Sequence, residues 1–80
     1  MREQDARDAV YSALGRVAPD IDTVNLDEGS RLRQDLDLDS LDFLHLLETV
    51  AQLSGVDTAE RDYGEVVTVK GLIAYVATHG

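Results

Sequence analysis

Several residue types are scarce or missing from this sequence of 80 residues, and each shortage excludes a class of protein. The absence of cysteine excludes disulfides and thiolate chemistry by the chain's own side chains. The four aromatic residues are too few and too scattered to stack nucleic acid bases. No apolar run approaches membrane-spanning length, and residues 1–5 lack the apolar segment of a signal peptide. We therefore expect a cytoplasmic protein.

Basic residues are also scarce. Only 7 lysines and arginines face 16 acidic residues, which gives a formal net charge of -9. The sequence therefore predicts no binding to nucleic acid or to anionic membranes, because both require positive charge. A basic protein surface is the expected partner. The length allows one small core and leaves little room for an enclosed active site. We expect a monomer with a single domain over residues 1–80.

Apolar residues recur at helical spacing in three segments. The first covers about residues 3–17 and ends before Pro19, which biases the preceding residue out of the helical region. The second covers about residues 40–53, with Asp39 as the candidate N-cap. The third begins near Thr68, another residue that favours the N-cap position. These segments predict three main helices.

The remaining residues connect these helices. Residues 20–39 are rich in turn formers and predict a long loop, whose scattered apolar side chains are expected to pin it across the helices. A short turn of helix is expected within residues 57–63, and no segment alternates as a strand does. The sequence therefore predicts an all-α fold, a bundle of three main helices plus one short helix, with a long loop between the first and second helices.

The second helix has apolar residues on two faces when its residues are placed at roughly 100° steps. The expected core stripe consists of Phe43, Leu46, Leu47, Val50 and Leu53. The opposite face carries Leu41, Leu44, His45, Glu48 and Gln52. Its two leucines are either ordinary exposed leucines, or covered by the long loop, or a docking strip for a partner.

The run from Asp35 to Asp42 places Ser40 among four aspartates at the start of this helix. Acidic residues there complement the helix dipole, which explains Asp39 and Asp42 without any further function. The alternating aspartates match the first three ligand positions of an EF-hand loop. However, Ser40 takes the glycine position and Leu46 takes that of the bidentate glutamate. We therefore expect no metal site, and a serine hydroxyl that is exposed and available for modification.

No catalytic residue is predicted. A serine nucleophile needs a base beside it, and only two histidines are present. His45 lies one turn beyond Ser40 with no carboxylate positioned behind it, and His79 is expected to fray next to the C-terminus. The chain is therefore not expected to be an enzyme.

These residues resemble the acyl carrier protein family, most closely its free-standing bacterial members. The resemblance rests on Asp39-Ser40-Leu41, preceded by Leu36 and followed by Asp42 and the amphipathic helix, and it extends over nearly the whole chain. It implies that a phosphopantetheinyl transferase attaches 4′-phosphopantetheine from coenzyme A to Ser40. Asp39 would orient the helix start and contact that transferase. The thiol of the arm would hold acyl groups as thioesters and carry them between enzymes of a fatty-acid, polyketide or dedicated acyl-transfer pathway.

The resemblance also implies where partners and cargo would bind. The partners would be an acyl-activating ligase, a synthase or an acyltransferase with a basic docking patch. The residues implied for the partner face are Leu41, Leu44, His45 and Glu48. Those implied for an acyl pocket are Phe43, Leu47 and Ile73.

Two departures from the family pattern favour a dedicated pathway over housekeeping fatty-acid synthesis. His45 stands where the family often has glutamate, and Asp37 stands at the usual glycine position before the motif. Two other functions stay open. One is an aminoacyl or peptidyl carrier that also uses Ser40, and the other is an unmodified acidic helical module that binds a partner through Leu41 and Leu44.

Overall fold

The computed structural model describes residues 1–80 and contains four helical segments. Helix α1 spans Glu3–Val17, α2 spans Ser40–Ser54, a 3-10 helix spans Glu60–Glu65, and α3 spans Val69–His79. The predicted all-α bundle is confirmed, and the 3-10 helix overlaps the short helix predicted from the sequence. No helix combines the length and the apolar character needed to cross a membrane.

Local chemistry sets the ends of the helices. Helix α2 ends at Gly55, whose φ of 77° lies in the left-handed region that favours glycine. Helix α3 begins after Thr68, whose Oγ1 accepts a hydrogen bond from the backbone N–H of Gly71 at 2.9 Å. Helix α1 ends at Val17, two residues before the proline. The predicted stop and cap residues are therefore confirmed.

One apolar core lies between the three main helices and the long loop. Helix α1 contacts both α2 and α3. Three buried alanines, Ala6, Ala9 and Ala13, lie on this side of α1. The buried apolar residues that the helices contribute to the core are Ala6, Val10, Ala13, Leu14, Phe43, Leu46, Leu47, Val50, Val69, Leu72, Ile73, Tyr75 and Val76.

The core differs from the predicted stripe of α2 at the end of that helix. Leu53 was expected in the core, but it lies in the last turn and is 39% exposed. Val56, which follows the turn at Gly55, is buried instead. Thr49 is also buried, because its hydroxyl donates to the carbonyl of His45 at 2.8 Å and so keeps a hydrogen bond in the interior.

The end of α3 also differs from the prediction. His79 was expected to fray, but it is the last residue of the helix. Its ring stacks on that of Tyr75, with centroids 4.1 Å apart and an interplanar angle of 27°. Tyr75 itself is buried, and its hydroxyl donates to Asp62 at 2.7 Å. This hydrogen bond links α3 to the 3-10 helix.

Residues 18–39 cross the bundle as the predicted long loop. Most of its apolar side chains contact the core as expected. Leu32 and Leu38 are buried, and the side chains that pack partly buried against the core are Ile21, Leu26 and Leu36. Val24 is the exception, since it is 89% exposed.

A short backbone seam joins residues 28–32 of the loop to residues 67–70 at the start of α3. The N–H of Leu32 donates to the carbonyl of Val67 at 2.8 Å, and two bonds run back from α3 to the loop at 3.1 and 2.7 Å. The seam includes an antiparallel bridge between Arg31 and Thr68. It supplies partners for backbone groups that the loop would otherwise leave unpaired near the core.

The side chain of Glu28 extends this attachment to α1. Its carboxylate accepts from Nε of Arg7 at 2.7 Å and from the hydroxyl of Tyr11 at 2.8 Å. The hydrogen bond from Arg7 is the main cause that holds the pKa of the Glu28 carboxyl below its usual value. The loop is therefore tied to α1 by side chains and to α3 by the backbone.

Replacing Glu28 with glutamine should lower the free energy of unfolding at neutral pH by about 1–2 kcal/mol. The reason is that a neutral amide accepts weaker hydrogen bonds from Arg7 and Tyr11 than the charged carboxylate does. The pKa of Glu28 is lowered from 4.5 in the folded state. Its stabilising effect is therefore complete above that value and is lost as the pH falls through the lowered pKa. Urea titrations at decreasing pH should show the variant and wild type converging.

The matched control is Glu3→Gln, because Glu3 meets the same Arg7 at 3.5 Å but is 72% exposed. We expect no measurable change from it. A Glu28→Gln deficit that stays constant at every pH would contradict the role assigned to this carboxylate.

Two helical glycines should respond in opposite ways to alanine. A Cβ at Gly71 would stand 2.6 Å from the carbonyl oxygen of Glu65, whereas a Cβ at Gly15 would meet nothing within 4 Å. We expect Gly71→Ala to destabilise the fold by roughly 1 kcal/mol despite its higher helix propensity. Gly15→Ala should stabilise it by about 0.5–1 kcal/mol. Thermal unfolding of both variants tests this, and equal stabilisation would contradict the close contact.

Candidate functional site

Ser40 is the first residue of α2, and its side chain is exposed. Asp39 precedes it with an extended backbone, and its carboxylate accepts from the N–H of Asp42 at 2.8 Å. The predicted N-cap is therefore confirmed. Because the cap fixes where the first turn begins, it also fixes the direction in which Ser40 leaves the helix.

The approach to Ser40 contains one residue with left-handed backbone. Asp37 has a φ of 60° and is the non-glycine residue of the chain with positive φ. Glycine adopts this conformation freely, and aspartate tolerates it better than most residues. Asp37 thus adopts a backbone conformation that is usual for glycine, and the chain turns there. The next residue, Leu38, is buried in the core.

The outward face of α2 is open to solvent. Leu41 is 77% exposed and Leu44 is 41% exposed, so the interpretation that the long loop covers them is wrong. The polar residues predicted for this face, His45, Glu48 and Gln52, are exposed as well. Two apolar side chains therefore lie beside Ser40 among polar groups.

A groove of about 590 Å³ opens beside Ser40, between α2 and the 3-10 helix. Phe43 and Tyr63 meet edge to face within it, with ring centroids 5.5 Å apart and an interplanar angle of 89°. The groove has the size typical of a small-molecule site. The residues that line it are Arg33, Gln34, Ser40, Phe43, Leu44, Glu60, Tyr63, Gly64 and Val67.

The groove contains one of the three residues implied for an acyl pocket. Phe43 lies in its wall, whereas Leu47 and Ile73 do not line it. Both belong to the closed core, where they are 6% and 2% exposed. Helical spacing grouped Phe43 with Leu47 on one side of α2, but it carried no information on where the 3-10 helix packs. That packing adds Tyr63 to the wall.

Arg33 is the functional neighbour that sequence reasoning missed. Its Nη2 donates to Ser40 Oγ at 3.0 Å from seven residues earlier in the chain, and both residues line the groove. No periodicity or motif signals a contact between a loop arginine and a helix start. No hydrogen bond joins Ser40 to a histidine, so its hydroxyl has a cation beside it rather than a base.

The aspartates near Ser40 do not form a metal centre. No group of three or more histidine, cysteine, aspartate or glutamate side chains is placed to hold a metal ion. Asp35 instead accepts from the guanidinium of Arg31 at 3.1 Å, and this hydrogen bond is the main cause that lowers the pKa of Asp35. Asp39 is engaged as the helix cap.

The fold and the site together define a small helical domain that presents one hydroxyl at the start of a helix. An exposed hydroxyl is held at the start of a capped helix, a groove adjoins it, and no base contacts it. The hydroxyl is accessible to a modifying enzyme, and the groove beside it is open to solvent.

Comparisons with known proteins agree with this class. A family model described as "Phosphopantetheine attachment site" matches residues 6–76. An acyl carrier protein of Chlamydia caviae is 29% identical over 76 residues, which cover 95% of this chain and 92% of that protein. The chain belongs to the phosphopantetheine attachment site family.

Membership determines the cofactor and the broad role. The cofactor is 4′-phosphopantetheine, attached covalently. Members of the family carry groups rather than catalyse reactions, and they interact with a modifying transferase and with enzymes that handle acyl groups.

Substituting Asp39 separates its role as a cap from its charge. Asp39→Ala should lower the free energy of unfolding by about 1 kcal/mol, because the N–H of Asp42 loses its side-chain acceptor. Asp39→Asn keeps an acceptor oxygen and should stay within a few tenths of a kcal/mol of wild type. Denaturant titration of the two variants measures this, and equal losses would show that the charge rather than the cap matters.

Proposed function

We propose that residues 1–80 act as one acyl carrier domain and that Ser40 is the attachment site of 4′-phosphopantetheine. The observation that carries this proposal is the exposed hydroxyl of Ser40 at the capped start of α2, beside a groove. The bound arm supplies a thiol, which this chain lacks, and holds cargo as a thioester. The chain's own residues present the hydroxyl, orient the start of α2 and offer a surface to visiting enzymes.

Asp39 has two roles in this proposal. As the N-cap it holds Ser40 at a defined position relative to the first turn of α2. Its other carboxylate oxygen accepts no hydrogen bond within the chain, so the phosphopantetheinyl transferase can contact it. Coenzyme A is the donor, and the catalytic base and metal belong to that transferase.

The partner surface that we propose is the exposed face of α2 next to Ser40. It consists of Leu41, Leu44, His45 and Glu48. The two leucines offer apolar contacts, and the excess negative charge of the chain steers it to a basic docking patch. The expected visitors are an acyl-activating ligase, a synthase or an acyltransferase.

The groove between α2 and the 3-10 helix is the proposed place for cargo. Phe43, Leu44 and Val67 give it apolar wall, and Tyr63 adds an aromatic face. An acyl chain resting there would leave water without opening the closed core around Leu47. The deeper pocket implied by Leu47 and Ile73 stays a prediction beside this one, and it would require the core to open around them.

The pathway that we propose is a dedicated acyl-transfer route rather than housekeeping fatty-acid synthesis. His45 puts an imidazole on the partner face where the family often has a carboxylate, which alters the charge a partner must match. The polar part of the groove, with Arg33, Gln34 and Glu60, favours an aminoacyl carrier as the second candidate. Loading assays with fatty-acyl and amino-acid ligases would distinguish the two kinds of cargo.

Intact-mass spectrometry tests the attachment directly. Wild-type protein incubated with coenzyme A and a broad-specificity phosphopantetheinyl transferase should gain the mass of one phosphopantetheine. Ser40→Ala should gain none, because it removes the acceptor oxygen. The matched control is Ser12→Ala, since Ser12 is an exposed serine of α1 that leaves the proposed site untouched. An unmodified wild type, or a Ser40→Ala variant that is still modified, would contradict the proposal.

A further inference from the structure

Arg33 carries a positive charge that no carboxylate neutralises. The structure contains three ion pairs, and Arg33 takes part in none of them. Its side chain is exposed, and its hydrogen bond goes to the neutral hydroxyl of Ser40 at 3.0 Å. Arg31, two residues earlier, is engaged through two guanidinium nitrogens by Asp35. Of the two arginines in this part of the loop, Arg33 is the one free to bind a further anion.

The surroundings of Ser40 make such a cation useful. Four aspartates lie within five residues of Ser40 in the chain, at positions 35, 37, 39 and 42. A phosphodiester at Ser40 would add another negative charge to this region. Like charges repel, and a nearby cation reduces that repulsion locally. Arg33 provides that cation at hydrogen-bonding distance.

The geometry also fits a phosphate joined to Ser40. The non-bridging oxygens of such a phosphate lie one bond beyond the phosphorus atom. A guanidinium that already reaches Oγ can reach them by rotation of its own side chain, without movement of the backbone. The planar donor fork of arginine matches two phosphate oxygens, which makes it a better partner than a lysine of similar reach.

We propose that Arg33 binds the phosphodiester of the prosthetic group and so sets the direction in which the arm leaves Ser40. Arg33 and Ser40 both line the groove, so a phosphate held between them directs the arm along it. Arg33 acts as a positioning residue and does not react. This inference rests on the proposed attachment at Ser40.

Phosphorus NMR of the loaded protein tests the contact, because it observes the phosphodiester itself. Three variants are compared with wild type. Arg33→Gln removes the charge, Arg33→Lys keeps the charge without the fork, and Arg16→Gln makes the same change of charge at an exposed arginine of α1 that has no side-chain hydrogen bond. All four proteins are first checked for complete modification by intact mass and for equal helix content by circular dichroism.

At low salt we expect the phosphorus resonance of wild type and of Arg16→Gln to coincide, and that of Arg33→Gln to lie at the position of a free phosphodiester. Arg33→Lys should fall between them. An exposed charge contact of this kind favours the bound arrangement by roughly twofold to fivefold. Raising the salt concentration should move the wild-type resonance toward that of Arg33→Gln, whose own position should hardly change.

Coincident resonances of wild type and Arg33→Gln, with the same response to salt, would overturn the inference. An equal displacement in Arg16→Gln would also overturn it, because the effect would then come from net charge. Failure of the proposed attachment is seen separately, since wild type would then gain no mass and show no phosphorus signal. A protein loaded at Ser40 with a resonance insensitive to Arg33 refutes this inference alone.

Discussion

The backbone seam between residues 28–32 and residues 67–70 is the constraint on which the rest of the structure depends. The long loop must cross the bundle between α1 and α2, and its backbone polar groups need partners wherever it meets the core. The seam supplies those partners, and the buried side chain of Leu32 fixes it against the core. Glu28 adds the connection to α1. With the loop held in this way, α2 begins at a defined place beside the 3-10 helix.

This arrangement explains how a small acidic chain can present one hydroxyl at a fixed helix start, as a carrier domain requires. The loop and the cap at Asp39 hold Ser40 firmly, while the side chain itself stays exposed. Under the proposed function, a flexible arm attached there would sample the groove, the solvent and the active site of a visiting enzyme. The face next to Ser40 combines exposed leucines with negative charge, which suits brief docking more than permanent burial. The proposed partner face and the core stripe thus lie on different sides of α2, while Phe43 belongs to both the core and the groove.

The sequence predicted the features that depend on residue type and on the helical spacing of apolar residues. The helices, the cap at Asp39 and the outward direction of Leu41 all follow from residue type and helical spacing, and the structure confirms them. The sequence did not predict features that depend on how separate segments of the chain pack against each other. Spacing alone could not show that the 3-10 helix would place Tyr63 over Phe43, or that Arg33 would reach Ser40. Of the residues predicted for an acyl pocket, Phe43 lines the groove, whereas Leu47 and Ile73 lie in the core, and their role in holding cargo stays a prediction.

Native-state amide hydrogen exchange of the unmodified protein is the most direct test that the seam holds the loop in place. The account predicts that the amide of Leu32, which donates across the seam, exchanges as slowly as the amide of Leu72 inside α3. The amide of Asp22, an exposed residue of the same loop whose N–H donates no hydrogen bond, serves as the fast-exchanging reference. Exchange of Leu32 at the rate of Asp22, with Leu72 still protected, would show a detached loop and would contradict the account.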